Sequence, residues 1–225
     1  MEKICELKNP YVRVGSSYGG SQNFFRDKKG FFNRFKAAGG CGIIAMSDTM
    51  NYLSRNTDFE KNEDYMRVAD MVIRRTLWIP NKLGMSFYRI ILLYPQLLKR
   101  AGFSCRCFWG FSRRKLFSRI EEMIKNDTPV ILNVPKILFP WKNHKERLTF
   151  YDENEKPAAT AAAHFVVVTG IYRAGEKNYL QISSWGRKYY IDLKEFTAFT
   201  KKTFLGGILG NILYFTSLQK NQPVS

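Results

Sequence analysis

The apolar period of this chain changes once, near Asp127, and that change constrains the fold more than any other feature. Before it, apolar residues recur at helical spacing from Gly42 to Leu53, where Ile43, Ile44, Met50 and Leu53 share a side. The same spacing returns in NEDYMRVADMVIRRTLW, GMSFYRIILLYPQLLKRAG and SRRKLFSRIEEMIKND. After it, TPVILNVP, HFVVVTGIY, NYLQISSW and RKYYIDL are rich in β-branched and aromatic residues and are bounded by turn residues such as AGEKN. Helices first and strands second predict an α+β chain, with a helical half over about 37–127 and a mostly antiparallel sheet over about 128–219.

No repeat and no Pro/Gly/Ser linker divides the chain, so one domain over 1–225 is expected, and a hydrophobic content of 45% suffices for its core. The first forty residues, with YGGSQNFF and KKGFFNRF, follow neither period and read as loops that cover something. The opening MEKICELKNP carries charges where a signal peptide needs an apolar core, which predicts a cytoplasmic chain. TFLGGILGNILYFTSLQ is uncharged over 17 residues but holds three glycines and an asparagine. It falls short of the roughly 20 apolar residues of a membrane span and is expected to be a buried strand with a glycine turn. Lys and Arg number 36 against 19 acidic residues, so the surface should attract acidic peptides or other polyanions.

Four cysteines, at 5, 41, 105 and 107, suit free thiols rather than a disulfide framework. Cys105 and Cys107 form a C-x-C with no histidine or second pair nearby, so no metal is expected, and no phosphate loop or dinucleotide fingerprint calls for a cofactor. Cys41 differs in its setting. It follows Gly39 and Gly40, precedes Gly42, and opens an apolar helical pattern. Glycines let a substrate backbone come close, which makes Gly40 and Gly42 candidates for a cleft. A helix start aims free N–H groups and a positive dipole end at the sulfur, which should lower the thiol pKa and could hold an oxyanion.

A thiol nucleophile needs a base, and the chain holds two histidines. His144 sits in the charged, loop-like WKNHKER, where nothing would orient the ring, whereas His164 opens the apolar strand HFVVVTGIY. A structural cysteine and a satisfied core histidine remain the bland readings of Cys41 and His164.

Taken together, a Gly-Cys-Gly at a helix start, a later H-x-V-V-V-T-G strand, and a strand ending S-S-W-G before D-L-x-x-F resemble the papain-like cysteine peptidases. The resemblance is closest to the bacterial branch that processes bacteriocin leaders. It covers 18–53 and 164–196, about a third of the chain. It implies an N-terminal helical lobe with the nucleophile at a helix start, packed on a sheet that carries the histidine. Residue by residue, it puts Cys41 in the nucleophile position and His164 in the general-base position. The first residue of its N-S-W-G motif, which orients the imidazole, falls on Ser183, and Trp185 would shield the pair. The family's oxyanion glutamine precedes the cysteine by six residues, but position 35 is Phe. Keeping the correspondence needs an inserted basic loop over 26–36, which makes Gln22 the candidate, with Asn23 and Asn33 as alternatives.

The resemblance implies a cysteine-dependent peptidase or acyl-transfer enzyme acting on a peptide, with an acidic one favoured by the basic loops. Two rivals stay open: a catalytically degenerate papain-like binding module, and a basic protein for nucleic-acid or membrane surfaces in which Cys41 is core. The runs RDKKGFFNRFK and SRRKLFSR interleave aromatics with cations as a nucleic-acid groove would, although a solvated basic face is the commoner meaning.

Overall fold

A computed structural model describes residues 1–26, 31–76, 85–111, 113–136, 146–202 and 204–221. His144, assigned above to a loop, lies outside the described residues. In chain order the elements are β1 (Glu2–Glu6), α1 (Phe31–Gly39), α2 (Cys41–Leu53), α3 (Asn62–Thr76), α4 (Phe87–Arg100) and β2 (Phe103–Trp109). Next come α5 (Leu116–Lys125), β3 (Val130–Val134), β4 (Leu148–Tyr151), β5 (Pro157–Ala161) and β6 (His164–Ala174). The chain closes with β7 (Lys177–Ser184), β8 (Arg187–Asp192), α6 (Leu193–Lys201), α7 (Phe204–Leu209) and β9 (Ile212–Lys220).

The α+β class stands. The nine strands form one antiparallel sheet in the order β2-β9-β3-β6-β7-β8-β4-β5, and β1 pairs the far half of β6. β6 runs at its centre, and its first eight residues are buried because strands flank it and α2 lies against it. α2 is buried from Cys41 to Tyr52, its polar Ser47, Asp48, Thr49 and Asn51 included. α5 shows the ordinary one-sided pattern, burying Leu116, Ile120, Met123 and Ile124 at positions i, i+4, i+7 and i+8. α4 ends where Gly102 takes φ +85°, a left-handed position that glycine occupies at little cost.

Three expectations need correction. The first forty residues are not all loop: β1 joins the sheet, α1 precedes α2, and Arg13–Val14 pairs with Ser17–Tyr18 and Asp58–Phe59 in a small second sheet. The stretch read as helical, 37–127, also contains a strand, β2, which pairs with the last strand, β9, and β1 joins the main sheet from residues 2–6, ahead of that stretch. Sheet edges recruit strands by register and not by sequence neighbourhood. The uncharged run near the end is α7 followed by β9, broken at Gly210, where a Cβ would lie 2.2 Å from the Thr200 side chain. Among the described residues no helix is long and apolar enough to cross a membrane.

Candidate functional site

Cys41 is the first residue of α2, which starts one residue after α1 ends. Gly40, between the two helices, has no room for a side chain, since a Cβ there would approach the Lys36 carbonyl oxygen to 2.4 Å. Gly42 faces Met85, Ile90 and Phe165. Neither glycine lines the small cavity at Cys41. Their absent side chains let α1, α4 and β6 close around the start of α2.

The expected fall of the thiol pKa is reversed. Backbone N–H groups of Phe165, Gly42 and Cys41 itself pull it down, as a helix start should, but burial outweighs them and pushes the Cys41 thiol up. Charge on sulfur is dearer in this enclosed position than the helix terminus can offset.

His164 opens β6 with its ring buried beside the same cavity. Its Nε2 lies 2.7 Å from Ser184 Oγ, and its face stacks on Trp185 with centroids 4.5 Å apart and planes inclined by 18°. Burial, with the Arg147 charge as a lesser cause, lowers the imidazole pKa from 6.5 to about 3. The ring is therefore neutral at pH 7. No hydrogen bond joins it to Cys41, so the resting pair is a neutral thiol beside a neutral imidazole. With Nε2 occupied by Ser184, Nδ1 is the nitrogen left to meet a thiol.

The hydroxyl on the ring belongs to Ser184 and not to Ser183, which instead donates to the Tyr18 carbonyl at 3.0 Å. A β-bulge is the cause. Gln181 pairs with Gly170 but Ile182 pairs with Val168, leaving Thr169 as the extra residue. Directly opposed residues share a face, so Ser183 follows Val167, and Ser184 turns to the face of His164. Without the bulge Ser183 would take the face of His164, but opposite Val168 and four residues along the strand from it. Trp185 reaches the ring from the two-residue turn between β7 and β8, where it takes φ +51° and Gly186 takes φ +75°. Two successive left-handed residues make a type I′ hairpin turn, a strained place for a tryptophan.

Gln22 opens a short 3-10 turn capped by the Ser21 hydroxyl, and it lines the cavity with Cys41 and His164. Its Nε2 donates to the Ala37 carbonyl at 2.9 Å, while Oε1 is buried without a partner. The amide donor that could face an oxyanion is thus engaged elsewhere. Asn23 is exposed and does not line the cavity, and neither does Asn33. The cavity holds about 10 Å³, room for one water.

One lining residue escaped sequence reasoning. Asp48 lies seven positions after Cys41, two turns along the same helix face, and is wholly buried between Tyr11, Tyr65 and Gly20. The signal was available, since Asp48 is the one charged residue in the helical stretch from Cys41 to Leu53, and a buried acid is rare without a partner. Among the described residues no group of His, Cys, Asp or Glu is arranged to hold a metal ion.

No family model matches the sequence, and no curated protein matches it. Among solved structures the chain is similar to the crystal structure of a double glycine motif protease from an AMS/PCAT transporter, in complex with the leader peptide. The identity is 11%, the match covers 95% of this chain and 98% of that one, and the TM-score is 0.38.

Proposed function

We propose that this chain is a papain-like, cysteine-dependent peptidase or acyl-transfer enzyme that acts on a peptide or amide carbonyl. The supporting observation is convergence: the Cys41 thiol, the His164 ring with its Ser184 partner, and Gln22 border one small cavity although they lie far apart in sequence. In this reading Cys41 Sγ attacks the carbonyl carbon while His164 takes its proton. Proton transfer accompanies attack because the resting pair is neutral. The oxyanion meets the N–H groups at the start of α2 and the Gln22 amide once that leaves Ala37, and His164 then protonates the departing amine. With 36 basic and 19 acidic residues, the protein favours an acidic peptide.

The test is cleavage of a mixed peptide pool followed by mass spectrometry. Wild type should generate new termini and Cys41→Ala none, whereas undiminished cleavage by Cys41→Ala removes Cys41 from the mechanism. A second reading, a papain-like binding module without turnover, is favoured by the missing bond between thiol and imidazole. It gains if wild type retains peptides without cutting them.

The bulge gives a separable expectation. Ser184→Ala should slow cleavage about fivefold by freeing the ring, the worth of one hydrogen bond of about 1 kcal/mol. Ser183→Ala should act less, through the Tyr18 carbonyl. The reverse ranking would return the orienting role to Ser183.

A further inference from the structure

We infer that Asp48 is a positioning residue, one that clamps the glycine turn preceding Gln22 onto the helix that carries Cys41. The inference rests on the reading of Cys41 and Gln22 given above and adds a residue that touches neither the thiol nor the ring.

Three donors converge on the Asp48 carboxylate. Tyr65 Oη donates at 2.6 Å and Tyr11 Oη at 3.1 Å, and the Gly20 N–H reaches Oδ1 at 3.0 Å and Oδ2 at 3.1 Å. A carboxylate accepts from all three at once, whereas an amide has one acceptor oxygen and would turn its NH₂ toward a tyrosine hydroxyl, which would have to rotate to accept. The Gly20 bond matters most for the site, since Gly20 lies two residues before Gln22. The Gly20 carbonyl accepts from Gly186 N at 3.1 Å, and Gly186 follows Trp185. Gly20 therefore ties the Gln22 segment to α2 on one side and to the Trp185 turn on the other.

The fit leaves no slack. A Cβ on Gly19, which has φ +76°, would sit 2.2 Å from Ser183 Oγ and 2.7 Å from Asp48 Oδ2, and one on Gly20 would sit 2.1 Å from Tyr65 Oη. Two glycines let the turn approach the buried acid, and the acid holds it there. Tyr11, Tyr65 and Gly20 are the groups facing Asp48, Cys41 and His164 share its cavity, and among the described residues no Lys or Arg offsets its charge. Burial pushes the carboxyl up to about 6 despite its donors. A residue that only filled space would not need to carry that penalty.

Two reagents separate positioning from general packing. p-Nitrophenyl acetate acetylates Cys41 through a tetrahedral oxyanion, releasing p-nitrophenolate as the thiol proton passes to His164 and then solvent. Iodoacetamide alkylates the same sulfur by displacing iodide and forms no oxyanion. Both adducts are read at Cys41 by peptide mass spectrometry at pH 8.5. Asp48→Asn should slow acetylation about tenfold, the loss of roughly one oriented hydrogen bond, while alkylation changes less than about twofold. Gln22→Ala should reproduce this split, and adding Asp48→Asn to it should have little further effect. Tyr65→Phe, which removes one donor and keeps the ring, should shift the same ratio by a smaller factor if Asp48→Asn does not fold. Equal slowing of both reactions, or unchanged acetylation, overturns the assignment. If wild-type Cys41 is acetylated no faster than Cys105 and Gln22→Ala changes nothing, the peptidase reading itself fails and the role of Asp48 falls with it.

Discussion

His164→Gln is expected to lower peptide cleavage about 10³-fold and, in the same protein, to remove a large part of its acid sensitivity. The two effects have one source, a buried neutral imidazole. Its pKa is held at about 3 in the folded chain against 6.5 for the free group. A depressed value means stability that is complete above pH 6.5 and lost as pH falls toward 3, because the unfolded chain binds the proton more readily. The difference corresponds to about 5 kcal/mol. Urea unfolding of both proteins between pH 7 and 3 measures it, and His164→Gln should show the shallower fall. Parallel curves would mean that the ring is hydrated and not buried against Trp185.

Asp48→Asn should act in the opposite direction along the pH axis. The Asp48 carboxyl is raised from 3.8 to about 6, so its contribution is complete below pH 3.8 and is lost as pH rises through 6. Relative to Asp48→Asn, wild type should lose about 3 kcal/mol across that interval and nothing further above it. Whether the substitution stabilises or destabilises at one pH depends on how Asn meets the three donors, but the slope does not. Unfolding free energies of the two proteins at pH 4, 5, 6 and 7 supply the comparison. A difference independent of pH would place the acid in contact with water and remove the basis for its clamp.

The two slopes describe one design. Between roughly pH 4 and 6 both buried groups are largely uncharged, and outside that window one of them carries a charge in a poorly solvated place. Near neutrality the site keeps an anionic Asp48 beside a neutral thiol and a neutral ring. Such a pocket retains the energetic cost of a buried acid, as sites that trade stability for position commonly do.

Much of the fold was legible because it follows from local period. The stretches read as helices became α2 to α5, and those read as strands became β3, β6, β7 and β8, with ends shifted by a few residues. The flanks of the site were legible for the same reason. Cys41 at the start of a helical period and His164 at the start of a run of β-branched residues are positions that neighbouring residues specify. Sequence also marked the turn after Ser184, since Trp-Gly between two strands leaves few ways to reverse the chain.

Tertiary structure alone decided the rest, and each case involves long-range register or burial. The choice between Ser183 and Ser184 depended on one extra residue, Thr169, in a different strand. Thr169-Gly170 hinted at a bulge, but a single-residue offset between distant strands leaves no periodic trace. β1 and β2 were missed because a strand at a sheet edge is selected by the neighbour that accepts it. The sign of the Cys41 shift was misjudged because helix dipole and backbone N–H groups are local, whereas desolvation is set by everything that closes over the sulfur. Asp48 could be seen as the one charge in its helix, but only the folded chain brings Tyr11, Tyr65 and Gly20 to it. Period and capping act over a few residues and can be read along the chain; register and burial are properties of the whole and appear only once it has closed.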